Sequence, residues 1–220
     1  MPDQTKSIAI AGASSGIGRS LAEYYTDVGH RIFGCGRSQL EQVPFDYQVV
    51  DLAVDSQRSA WIEHIEGIET LIDCVGILPP RKPFLELDPA EIDRALSINL
   101  RARMLLLQGV AKGATIGRPL SIVCFASNPS GYPRQELSLY GLGKSAIEFL
   151  VTCMADENPK AVKIVSLYPG MVDTPMLRQS IGKAAENYPS SEDWAHANAA
   201  KLLDIDVQCS GKHLDVAELS

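Results

Sequence analysis

Short apolar runs alternate along the chain with longer stretches in which apolar positions recur every three or four residues. The runs Ser7 to Ala11, Arg31 to Cys35, Tyr47 to Val50, Thr70 to Val75, Leu120 to Ala126, Val162 to Leu167 and, more weakly, His213 to Val216 have the length and character of strands. Helical spacing predicts helices over Ile17 to Val28, Ser56 to Ile65, Pro89 to Gly109, Tyr140 to Glu157 and Ser190 to Leu203. This repeated βαβ order predicts an α/β fold in which a doubly wound parallel sheet is covered by helices on both faces. The least regular stretch, Thr174 to Pro189, is expected to form a mobile lid.

Composition narrows the function without changing that picture. At 220 residues and 45% hydrophobic content, the chain can bury one sizeable core, and a single domain over residues 1–220 is expected. A formal charge of -7 has the wrong sign for neutralising phosphate backbones, so nucleic acid is not an expected partner. No apolar run approaches the length that spans a bilayer, and the first seven residues are polar; a soluble, cytoplasmic protein without a membrane partner is expected. Cys35, Cys74, Cys124, Cys153 and Cys209 show no metal-binding spacing and read as reduced thiols packed like small apolar residues.

Three local patterns carry candidate chemistry. Gly12, Ser14, Ser15, Gly16, Ile17 and Gly18 lie where the first strand turns into the first helix, a place where backbone N–H groups and the helix dipole can meet a pyrophosphate. The second strand ends in Gly36, Arg37 and Ser38, with no acid to bind ribose hydroxyls and an arginine suited to a 2'-phosphate. That favours NADP(H), with NAD(H) possible. Tyr140 and Lys144 stand four residues apart and so leave one face of a helix. A phenol, with an ordinary pKa of about 10, becomes a useful acid or base near neutrality when a positive charge favours its ionised form, and Lys144 is placed to supply that charge. Gly141 and Gly143 weaken the same helix by roughly 0.8 to 1 kcal/mol each relative to alanine, so a close approach to neighbours is expected to require them.

Together these patterns resemble the short-chain dehydrogenase/reductase family, over Ser7 to about Asp215. The resemblance implies a Rossmann-type fold and an oxidoreductase that moves hydride between a nicotinamide and a small ketone, aldehyde or alcohol. It implies Tyr140 as proton donor and acceptor, Lys144 as its partner, Ser127 as the group that polarises the substrate oxygen, and Asn99 as holder of a relay water. It also implies cofactor contacts from Asp51 and Leu52 beside the adenine, from Cys74, Val75 and Gly76 after the fourth strand, and from Pro169, Gly170, Val172 and Thr174 beside the nicotinamide.

One departure stands out. The family's Asn-Asn-Ala-Gly is here Asp73-Cys74-Val75-Gly76. A buried aspartate needs hydrogen-bond donors that a neutral amide does not. Two other readings remain at this stage: a cofactor-binding regulatory protein with little turnover, and an epimerase or dehydratase on the same scaffold. The substrate pocket is expected from Leu78 to Phe84, Asn128 to Arg134 and Met171 to Tyr188, and carbonyl reduction is the favoured direction. Family members pair through the helices that here span Pro89 to Gly109 and Tyr140 to Glu157. The run Met104-Leu105-Leu106-Leu107 has apolar surface to spare, so a homodimer or homotetramer is expected.

Overall fold

The computed structural model describes residues 5–127, 134–158 and 160–219. Seven strands, β1 (Ser7–Ala11), β2 (Arg31–Gly36), β3 (Asp46–Val49), β4 (Thr70–Asp73), β5 (Leu120–Phe125), β6 (Val162–Tyr168) and β7 (His213–Asp215), form one sheet in the order β3-β2-β1-β4-β5-β6-β7. Every pairing is parallel. The chain builds outward from β1 to one edge and then restarts at β4 on its other side. A crevice therefore opens above the carboxyl ends of β1 and β4, where such sheets bind ligands.

Alternation along the central strands divides the core into two layers. Ala9, Ala11, Leu71, Ile122 and Cys124 face one side, with Trp61 of α2 (Asp55–His64), Leu106 of α4 (Arg103–Ala111) and Ile147 of α5 (Ser138–Glu157). Ile8, Ile10, Ile72, Val123 and Phe125 face the other, with Leu21 and Tyr25 of α1 (Gly16–Asp27) and Trp194 of α7 (Ser191–Leu203). The Tyr25 hydroxyl donates to the Ala199 carbonyl at 2.7 Å, so burial of that ring leaves no orphan polar atom. These fully buried strands read as continuous apolar runs because both faces are covered.

Two segments differ from the sequence reading. The expected helix over Pro89 to Gly109 is interrupted: α3 (Pro89–Leu96) passes through a π-helical turn, Ser97–Ala102, into α4. Nothing in hydrophobic spacing signals such a turn, which inserts extra residues without changing the buried face abruptly. The start of α3 is well specified: Asp88 accepts from the Glu91 amide at 2.9 Å and Glu91 accepts from the Asp88 amide at 3.1 Å. The expected lid, Thr174 to Pro189, contains α6 (Pro175–Ile181) and a 3-10 stretch, Gly182–Asn187. Thr174 caps α6 by accepting from the Leu177 amide at 3.2 Å, and Pro175 begins it.

The turn from β1 into α1 packs backbone closely against backbone. A β-carbon on Gly18 would lie 2.4 Å from the Gly12 carbonyl oxygen, a backbone atom that cannot swing aside. Gly18→Ala is accordingly expected to lower stability by about 1–3 kcal/mol in urea denaturation. Gly117→Ala, where a β-carbon meets nothing within 4 Å, is the control and should change it by less than about 0.5 kcal/mol. Equal effects would show that packing at the turn is not the constraint.

Candidate active site

A cleft of about 740 Å³ runs across the carboxyl edge of the sheet from Arg37 and Asp51 to Tyr188. Its floor is the glycine-rich turn. The amides of Gly12 and Ala13 both donate to the Cys35 carbonyl, at 2.9 and 2.8 Å, which ties the end of β1 to β2. Gly12 has φ +87, and a β-carbon there would press on the Cys74 carbonyl group at 3.0 Å. Ser15 is the N-cap of α1 but makes no side-chain capping bond, which leaves the first amides of the helix facing the cleft.

At the outer end, Arg37 and Ser38 are exposed beyond the last residue of β2, Gly36. The space a side chain at Gly36 would need is filled by Ser14 and the Tyr47 hydroxyl, each at 2.8 Å. Asp51 is held in place by its own turn: its amide donates to Gln57 Oε1 at 2.7 Å and its carboxylate accepts from the Ala53 amide at 2.9 Å. Leu52 beside it is buried.

At the inner end, α5 brings Tyr140 and Lys144 into the cleft, where Ser127 joins them from the loop after β5. The Ser127 hydroxyl hydrogen-bonds the Tyr140 phenol. Burial pushes the phenol above its ordinary value, opposed by that bond and by the charge of Arg103. Lys144 Nζ lies 5.8 Å from the Tyr140 ring centre and donates to the Phe125 carbonyl at 2.8 Å. Burial, helped by Arg103 and opposed by Asp73, lowers the Lys144 ammonium to about 7. The two side chains lie near each other at one end of the cleft, the neighbourhood that helical spacing expects. Helical spacing does not reveal that the lysine donates to a backbone carbonyl or that the charge of Arg103 acts on the phenol.

Asn99, in the π-turn, braces the loop after β4. Its Oδ1 accepts from the Ile77 amide at 2.8 Å and its Nδ2 donates to the Ile77 carbonyl at 3.0 Å. Gly143 faces it: a β-carbon there would meet Asn99 Cβ at 2.9 Å. The close approach expected of the helix glycines is thus, at Gly143, an approach to the π-turn.

Asp73 and Arg103 are the residues that sequence reasoning handled least well. Both side chains are fully buried, with Arg103 Nε donating to Asp73 Oδ2 at 2.6 Å. Asp73 Oδ1 accepts from the Val75 amide at 3.0 Å, and Arg103 Nη2 donates to the Phe125 carbonyl at 3.3 Å. The aspartate at position 73 is matched by a buried guanidinium on α4. A signal existed, since a buried aspartate requires a donor, but Arg103 stands next to an apolar run and reads as an ordinary surface residue.

The remaining expected positions line the cleft. Cys74, Val75 and Gly76 follow β4, and Pro169, Gly170, Val172 and Thr174 follow β6. Trp194 Nε1 donates to the Pro169 carbonyl at 2.8 Å, and Gly170 has φ +75, so this turn is fixed from beneath by α7. Each of the expected substrate segments reaches the cleft, among others through Leu78, Arg81, Arg134, Met171, Met176 and Tyr188, while residues 128–133 lie outside the described residues. All five cysteines are free, and burial pushes the thiols of Cys35, Cys74 and Cys124 well up. Among the described residues, no helix is long and apolar enough to cross a membrane.

Comparison with known proteins agrees with this geometry. The short chain dehydrogenase family profile matches residues 6–184. The NADPH-dependent pterin aldehyde reductase of Arabidopsis thaliana is 24% identical, over 96% of this chain and 93% of its own length. The L-xylulose reductase of Bos taurus is 30% identical, over 82% of this chain and 75% of its own. A short chain dehydrogenase from Salmonella enterica superposes with a TM-score of 0.87 at 20% identity, covering 97% of this chain and 96% of that one. With a sheet of this topology and a family match across most of its length, the chain belongs to the short-chain dehydrogenase/reductase family and is an oxidoreductase of that family.

Proposed function

We propose that this protein reduces a small ketone or aldehyde with NADPH, using Tyr140 as the proton donor. The observation that carries this reading is the hydrogen-bonded Ser127 and Tyr140 pair beside a buried Lys144, in a cleft continuous with an uncapped helix start. The family uses nicotinamide dinucleotides, and the residues present fit one. Glycines clear the floor at Gly12 and Gly18, and the first turn of α1, which has no side-chain cap, can present its amides to a pyrophosphate. Arg37, with no carboxylate at Gly36, favours the 2'-phosphate of NADP, and the Arabidopsis relative is named as NADPH-dependent.

When bound, the nicotinamide supplies the hydride. The protein's part is the oxygen. Ser127 and Tyr140 donate hydrogen bonds to the carbonyl oxygen, and Tyr140 releases its proton as negative charge develops there. Lys144, titrating close to neutrality in the protein alone, can accept or pass on a proton with little driving-force penalty. Asn99 keeps the wall behind it rigid through Ile77, and a relay water would be held at this turn. A dimer through α4 and α5 accompanies this reading, because Phe149, Leu142 and Met104 are 75%, 57% and 42% exposed on those helices.

Three measurements test the proposal. Tyr140→Phe should lower carbonyl turnover by a factor of about 10² or more while NADPH still binds. In the same assay Arg37→Ala should weaken NADPH about tenfold and leave NADH unchanged; full turnover by Tyr140→Phe would sink the mechanism. Light scattering should give twice the chain mass, and a monomer would remove the dimer.

A further test concerns Lys144, whose depressed folded pKa fixes the sign of a stability effect. Between about 7 and its ordinary 10.5 the unfolded chain holds that proton and the folded one does not, so stability rises with pH across this window. Lys144→Met should therefore stabilise the cofactor-free protein at pH 7, by roughly 2 to 4 kcal/mol, and the gain should vanish above about pH 10. A pH-independent change in denaturation would contradict a buried lysine retained at a cost in stability.

A further inference from the structure

Asp73 and Arg103 make physical sense only together. Either alone would leave an uncompensated charge with no access to water, whereas paired they satisfy one another at 2.6 Å. Their position matters more than their pairing. Asp73 is the last residue of β4, the strand that leads into the cleft, and Arg103 opens α4 directly after the π-turn that holds Asn99. Arg103 and Lys144 both donate to the same acceptor, the Phe125 carbonyl. Among the described residues, Arg103 Nη1 is buried and has no hydrogen-bond partner.

We propose that Asp73 and Arg103 form a positioning pair for the catalytic centre: the guanidinium, fixed by Asp73, holds the Phe125 carbonyl jointly with Lys144 and keeps a permanent positive charge behind Tyr140 even when Lys144 is neutral. A lysine that takes up and passes on a proton cannot be a constant source of potential, and a guanidinium, never deprotonated in proteins, can. The ionisable groups around the centre are Asp73 at the end of β4 and Cys74 just after it, Cys124 from β5, Arg103 from α4, Tyr168 from β6 and Lys144 on α5 itself. Burial keeps both thiols neutral, which leaves Asp73 and Arg103 to set the local field.

The inference rests on Tyr140 and Lys144 being the catalytic pair. Its test uses the full-length protein without substrate: tyrosinate absorbance is titrated for each variant against the same variant carrying Tyr140→Phe, which isolates Tyr140. Asp73→Asn/Arg103→Met replaces the pair by neutral groups, a change that buried ion pairs often tolerate. Tyr140 should then titrate about one pH unit higher than in the unaltered protein. Asp73→Asn alone keeps the cation and removes its counterion, so Tyr140 should titrate lower. Arg103→Lys keeps both charges and should titrate like the unaltered protein.

Carbonyl reduction at neutral pH should fall about tenfold in kcat for the double variant, with KM for NADPH within about twofold, the split expected when proton donation weakens and binding does not. Superimposable Tyr140 titrations, with only thermal stability changed, would reduce the pair to a structural brace and overturn the proposal. So would an Arg103→Lys titration displaced as far as the double variant. Should the double variant not fold, the direction seen in Asp73→Asn decides. Failure of the unaltered protein to bind NADPH would sink the reductase reading and leave the titration to decide this one.

Discussion

Two buried cations share one backbone carbonyl, and the candidate active site is organised around how their charge is offset. Lys144 and Arg103 both donate to Phe125 at the end of β5, and Asp73 is the only fully buried carboxylate among the described residues. Two full positive charges against one negative would be costly without water. The structure resolves the imbalance through Lys144, whose ammonium falls to about 7 while the arginine keeps its proton. A group that titrates near neutrality inside the cleft is thus a consequence of the charge count as well as of burial.

The sheet makes this arrangement possible. Parallel pairing of β1, β4 and β5 brings the ends of all three strands to one edge, so Asp73, Phe125 and the glycine turn stand beside one another although far apart in sequence. Helices then deliver what the strands cannot: α5 supplies Tyr140 and Lys144, the π-turn supplies Asn99, and α4 supplies Arg103. Gly143 permits α5 to lie against the π-turn, and Gly12 and Gly18 permit α1 to start over β4. The glycines and the charged cluster therefore serve one requirement, a dry and closely packed junction of strand ends and helix starts.

Much of this was legible in the sequence because the physics is local. Apolar runs and helical spacing locate all seven strands, and the start of α1 is marked by its glycines. The Tyr140 and Lys144 face follows from helical periodicity alone. What escaped depends on contacts between distant segments. Arg103 beside Met104 and Leu105 carries no mark of its burial, and its meaning appears only when α4 is placed against β4. The π-turn leaves no period of its own, and α6 hides in a segment with too few apolar positions to show one. Asp73 was the visible clue: a carboxylate that cannot be buried alone implies a donor elsewhere.

The most direct test of the account is equilibrium titration of the unaltered protein with NADPH and NADH, followed by turnover on a panel of small ketones and aldehydes. The account predicts tighter binding of NADPH than of NADH and NADPH-dependent reduction of at least one carbonyl. Binding of neither nucleotide would contradict it.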